Sequence, residues 1–151
     1  MERSCFLIGN RDVDETILPA LESCIIDHIE KKSVHEFIVG QYENFDHIAA
    51  KTIIHLKEKY PFIILTLLTP YHPGDRRTIL PKGFDGTWYP FEKIVPPKYA
   101  IVRANKAAID HCLYLIACIN HPGKARDFLM YAMSRENRGL SRTVNIGLLN
   151  H

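Results

Sequence analysis

Val34-His35-Glu36-Phe37-Ile38-Val39-Gly40-Gln41-Tyr42-Glu43-Asn44-Phe45-Asp46-His47-Ile48-Ala49-Ala50-Lys51-Thr52 is the stretch from which the fold is read. A short apolar strand, Phe37 to Val39, runs into Gly40. A turn follows, then a helix with apolar positions at Phe45, Ile48, Ala49, Thr52, Ile53 and Leu56. That spacing matches one face of a 3.6-residue period. Strand, glycine turn and helix form the repeating unit of nucleotide-binding α/β domains. The glycine permits a sharp turn, and the helix start presents unpaired N–H groups and a positive dipole end.

The same unit recurs along the chain. Cys5 to Ile8 is an apolar run that ends at Gly9-Asn10-Arg11. Behind it, Leu18, Leu21, Ile25 and Ile29 recur at helical spacing. Pro19 is tolerable only near a helix start, so Thr16 is the expected N-cap. The helix of the opening stretch is expected to run from about Asn44 to Lys59, where Tyr60-Pro61 stops it. Phe62 to Leu68 is apolar on both faces, as in a central parallel strand covered on each side. Lys98 to Asp110 reads as a helix with Ile101, Ala104, Ala108 and Ile109 inward. Leu113 to Ile119 is a further strand and runs into His121-Pro122-Gly123-Lys124. A helix follows, ended by Gly139, and Thr143 to Ile146 is the last strand.

Alternation of strand and helix gives a three-layer α/β domain with a parallel sheet of about five strands, in the Rossmann-like order 3-2-1-4-5. The 151 residues fit one domain, residues 1–151. Between Thr69 and Pro97 the pattern breaks into a segment rich in proline and glycine. Phe84, Trp88, Tyr89 and Phe91 give it aromatic weight, so it is expected as an ordered flap, residues 69–97.

The composition is that of an ordinary globular protein, 46% hydrophobic and 24% charged. A net charge of +2 offers no basis for nucleic-acid binding or for an anionic membrane. No apolar run approaches the length of a spanning helix, and the start lacks a signal-peptide pattern, so a cytoplasmic protein is expected. Cys5, Cys24, Cys112 and Cys118 form no C-x-x-C pair and read as buried reduced thiols. The eight histidines are scattered. No metal site and no cofactor are expected.

In the order 3-2-1-4-5, three glycine turns share the carboxyl edge of the sheet: Gly9-Asn10-Arg11, Gly40-Gln41-Tyr42 and Pro122-Gly123-Lys124. Ligands of such sheets bind there. At Gly123-Lys124-Ala125-Arg126 a phosphate would meet backbone N–H groups with Lys124 or Arg126, unless this is a plain strand-to-helix turn with solvated basic residues. Arg11 either pairs with a phosphate or is an exposed arginine. Asp46 either bonds a ribose hydroxyl or serves the dipole of its helix. Glu92, among the flap aromatics, is the candidate carboxylate for acid–base chemistry, with Asp46 as the second; its alternative is a surface glutamate. Arg103 and Asn105 line the crevice or cap the flap. Tyr42 and Tyr71 stack on a base or pack. His121 reads as a hydrogen-bonded structural histidine.

Together these turns resemble the SLOG superfamily (Smf/DprA and Lonely Guy proteins), in its short stand-alone bacterial members. The matching residues are Gly9-Asn10-Arg11, then Val39-Gly40, Tyr42, Phe45-Asp46 and Ala49-Ala50, then Leu56-Lys57 and Tyr60-Pro61. Farther on they are Pro70-Tyr71, Glu92, Pro97-Lys98, Ala100-Ile101, Arg103, Asn105, Gly123 and Ala125. The resemblance implies a Rossmann-like domain that binds or senses a nucleotide or nucleotide-derived ligand. Some such proteins hydrolyse the N-glycosidic bond of nucleoside monophosphates. Here Gln41 replaces a second glycine, Lys124 interrupts the Gly-Gly-Ala turn, and the P-G-G-x-G-T-x-x-E motif of the Lonely Guy enzymes is absent. The resemblance therefore implies ligand binding ahead of phosphoribohydrolase activity. A protein-interaction module with a vestigial crevice is the third reading. A homo-oligomer is also implied, with the apolar helices in support.

Overall fold

A computed structural model describes residues 3–41, 43–74 and 79–149. Six parallel strands form one sheet: β1 (Arg3–Gly9), β2 (Val34–Val39), β3 (Ile64–Leu68), β4 (Gly86–Trp88), β5 (Tyr114–Cys118) and β6 (Arg142–Asn145). Their order is β4-β3-β2-β1-β5-β6. Four helices connect them: α1 (Leu18–Lys32), α2 (Asn44–Leu56), α3 (Pro97–His111) and α4 (Lys124–Asn137). The five expected strands therefore stand in the expected order. The sixth, β4, comes from the flap and pairs on the outer side of β3 through Leu67 and Thr87.

The alternation of side chains in β1 builds both outer layers. Cys5 and Leu7 point into a core with Leu21 and Ile25 of α1 and Ile48 and Ile53 of α2. Phe6 and Ile8 point the other way, into a core with Ala104 and Ala108 of α3 and Phe128 and Ala132 of α4. A strand buried on both faces requires apolar residues at successive positions. In β1 only Arg3 at the start is exposed.

Several boundaries differ from the sequence expectation, and three of them have a local cause. Thr16 is not the N-cap of α1. Asp14 accepts from the Thr16 N–H at 3.0 Å and caps a 3-10 turn, Glu15–Ile17, from which α1 continues. Its carboxylate also accepts from the Thr16 hydroxyl, which ties the threonine to the cap rather than leaving it to act as one. α2 stops at Leu56, and its last turn tightens into Tyr60, whose N–H donates to Leu56 O at 2.8 Å. β3 begins at Ile64 rather than Phe62, which is 54% exposed.

The described residues of the 69–97 segment are ordered along the β3 edge. Phe84 packs on the α1–α2 core, and Trp88 and Phe91 on the α3–α4 core. Asp85 accepts from the Leu65 N–H at 2.8 Å and pairs with Lys57. Thr69 N–H donates to Trp88 O at 2.9 Å. No helix among the described residues is long and apolar enough to cross a membrane. The four cysteines are free thiols, and burial pushes Cys118 up to about 11.

His28 in α1 is only 1% exposed. Its Nδ1 lies 2.8 Å from Cys24 O, its Nε2 is buried without a hydrogen-bond partner, and its ring meets Tyr114 edge-on. Burial holds its pKa below the ordinary 6.5, and nearby Lys32 acts in the same direction. The unfolded chain therefore binds this proton more readily than the folded one. The stability that depends on neutral His28 is fully present above pH 6.5 and is lost as the pH falls from there through the lower folded-state value. His28→Leu is expected to flatten the fall in urea midpoint between neutral and mildly acidic pH. An unchanged slope in that variant would remove His28 as the cause.

Candidate functional site

The carboxyl edge of the sheet opens into a crevice between α3 and α4. Its floor is the end of β1, Phe6 to Gly9. One wall is Gly40, Glu43 and Asp46 from the β2–α2 turn. Leu68 and Pro70 follow β3, Ile101 and Asn105 come from α3, and Lys124, Ala125 and Phe128 from the start of α4. The cavity measures about 80 Å³. That is several times the space a single water requires.

Each glycine at this edge has a local reason. A Cβ on Gly9 would lie 2.3 Å from Phe45 Cγ, so α2 can seat its first turn on β1 only if residue 9 has no side chain. A Cβ on Gly40 would lie 3.0 Å from the Asp46 carboxylate. Gly123 has φ +151° as the N-cap of α4, and nothing lies within 4 Å of where its Cβ would be. The start of α4 is thus open to approach by a ligand.

The starts of α2 and α4 both face the crevice, and they differ. Asp46, 8% exposed, accepts from the Glu43 N–H at 3.1 Å and closes a capping box with Glu43. The positive end of α2 is thereby met by its own carboxylates. At the N-cap of α4 stands Gly123, which has no side chain to cap the helix, and the first helical residue is Lys124.

The expected site residues divide between the crevice and its surroundings. Gly9, Gly40, Asp46, Asn105 and Lys124 line it together. Asn105 also donates to Ile101 O at 2.8 Å. Asn10 is turned inward, 3% exposed. Its Nδ2 donates to His121 O at 3.3 Å and its Oδ1 accepts from the Asn120 N–H at 2.8 Å, joining the turns after β1 and β5. Arg11 is exposed and pairs with Glu43 at 3.2 Å, beside the crevice. His121 is exposed and pairs with Asp12 at 2.7 Å, and that hydrogen bond raises its pKa. Arg126 lines the opposite flank of α4. Arg103 is exposed, with its guanidinium 5.4 Å from the centre of the Tyr99 ring. Glu92 is exposed in the flap, away from the crevice. Gln41 is half-buried in the turn after β2 and does not line the crevice, and Tyr42 lies outside the described residues.

Glu43 is the crevice residue that sequence reasoning missed. Its signal was the spacing Glu43-x-x-Asp46, a capping box with a glutamate where serine, threonine, aspartate or asparagine is usual. The apolar residues Leu68, in the strand expected over Phe62 to Leu68, and Phe128 of α4 belong to the core and wall the crevice as well.

The chain matches no protein-family model. No match appears among curated proteins either.

Proposed function

We propose that the protein binds or senses a nucleotide or nucleotide-derived ligand in this crevice, with a phosphate at the first turn of α4. The contrast between the two helix starts carries the reading. An anion at α2 would face Glu43 and Asp46. At α4 it would meet free N–H groups and Lys124. The two carboxylates instead suit the hydroxyls of a sugar, as acceptors. The base would extend past Pro70 and Ile101, since the cavity of about 80 Å³ holds no whole nucleotide. Binding ranks ahead of N-glycosidic hydrolysis because Asp46 and Glu43 already hold a backbone N–H and Arg11, and Glu92 stands outside the crevice. Four free cysteines suit a reducing compartment, so we place the protein in the cytoplasm.

A thermal-shift screen against nucleoside mono-, di- and triphosphates tests this. Ligand at a hundred times its dissociation constant stabilises by about 2.7 kcal/mol, which for a chain of this size raises Tm by about 5–10 °C. Lys124→Ala is expected to weaken binding about tenfold or more while leaving the unliganded Tm nearly unchanged, since its side chain is exposed. Chromatography of the stabilising compound after incubation shows whether free base is released. If no compound shifts the melting curve, or if Lys124→Ala binds equally well, the reading fails.

A further inference from the structure

Toward the amino ends of the strands, away from the crevice, a second cavity of about 260 Å³ lies on the α3–α4 face of the sheet. It is lined by Glu36 and Ile38 of β2, Thr66 of β3, Gly86 and Trp88 of β4, and His111 at the end of α3. The His111 and Trp88 rings stand 4.7 Å apart, centre to centre.

Glu36 is the unusual member of this group. Along β2 it shares a face with Ile38, which belongs to the α3–α4 core. Half-buried there, its Oε1 accepts from the Ser4 hydroxyl at 2.8 Å and its Oε2 from the Thr66 hydroxyl at 2.9 Å. Ser4 and Thr66 are themselves buried, and neither carries charge. Glu36 has no ion pair among the described residues. A carboxylate withdrawn from water is costly unless a cation offsets its charge. Each of its oxygens still has a lone pair to offer beyond the one that a hydroxyl uses.

The other walls select the occupant. The face of a tryptophan ring attracts cations more strongly than that of any other side chain. Asp85, the second carboxylate of the cavity, is already held by Lys57 and by the Leu65 N–H, so Glu36 is the acceptor left for a ligand. An anion would meet both carboxylates, and a neutral apolar molecule would leave Glu36 without a counter-charge. A Cβ on Gly86 would meet nothing within 4 Å, so that wall is open. We propose that this cavity binds a small organic ammonium ion, a primary alkylamine whose N–H groups donate to Glu36 and whose carbon chain lies against the Trp88 ring. The site stands apart from the crevice and does not rest on the nucleotide reading.

Trp88 is the only tryptophan of the chain, so its fluorescence reads the wall of this cavity. Titration of the full chain with n-butylammonium chloride at constant ionic strength is expected to change that emission saturably. The neutral 1-butanol and the anionic sodium butyrate are expected to give no saturable change. Glu36→Gln keeps the size of the side chain and removes its charge. It is expected to raise the dissociation constant about tenfold or more with an unchanged circular dichroism spectrum. Gly86→Val puts a side chain into the open wall and is expected to abolish binding, and it carries the test if Glu36→Gln fails to fold. A wild type without a saturable response overturns the proposal, as does an equal response to 1-butanol or to butyrate. So does a folded Glu36→Gln or Gly86→Val that binds the amine as tightly as the wild type.

Discussion

Phe45→Ala is expected to destabilise the fold by about 3–5 kcal/mol, the range for removing a buried aromatic ring. Phe45 is fully buried in the first turn of α2, and Gly9 at the end of β1 lies directly beneath it. The contact joins the start of the second helix to the central strand at the edge where the crevice opens. The reciprocal change, Gly9→Ala, drives a methyl group into the ring and is expected to cost about 1–3 kcal/mol by overpacking. The two changes should not add. Without the ring, alanine at position 9 occupies space that has been vacated, so the double variant should be more stable than the sum of the single losses implies. Urea denaturation of the four proteins in this cycle measures the coupling. Additivity within about 0.5 kcal/mol would mean that the helix start does not rest on Gly9.

Asn10→Ala is expected to cost about 2–3 kcal/mol, because it leaves the Asn120 N–H and the His121 carbonyl without the partners they have in the fold. The Asn10 side chain is buried and bridges the turns after β1 and β5, the two strands between which the winding of the sheet reverses. No neighbouring side chain substitutes for it: Asn120 and His121 are themselves exposed. Hydrogen exchange gives a local readout, since the Asn120 amide should lose protection in the variant by more than the global loss of stability explains. If Asn120→Ala proved equally damaging, exposed side chains of that turn rather than the buried bridge would hold the edge together.

Much of the fold was legible because burial on two faces leaves a mark on the sequence. Phe6, Leu7 and Ile8 in succession, or Leu65 to Leu68 broken only by Thr66, admit few environments other than a covered parallel strand. The apolar positions foreseen in α2 are all buried. β4 was not legible, since Gly86-Thr87-Trp88 has too few residues for a period and is held by its neighbours: Asp85 by Leu65 and Lys57, Thr69 by the Trp88 carbonyl. The site was partly legible. Glycines mark turns, and the topology brought Gly9, Gly40 and Lys124 to one crevice. The direction in which a polar side chain leaves a turn has no sequence signature, and so Asn10, expected at a ligand, points inward, while Glu43 went unnoticed.

Periodicity and turn residues by themselves determined the strand and helix segments, and with them the parallel α/β class, because hydrophobic period and glycine conformational freedom act over a few residues. Tertiary structure alone decided which helix start at the crevice is capped by carboxylates and which is left without a side-chain cap. That choice depends on Asp46 folding back onto Glu43 at α2 and on Gly123 leaving α4 without a side-chain cap, and such pairings are set by where the sheet places each turn. It also decided the fate of the flap. Residues 69–97 looked like a cover for the site, yet of the described residues only Pro70 lines the crevice, because Phe84, Trp88 and Phe91 bury more apolar surface by packing along the sheet edge than they would above an open polar turn.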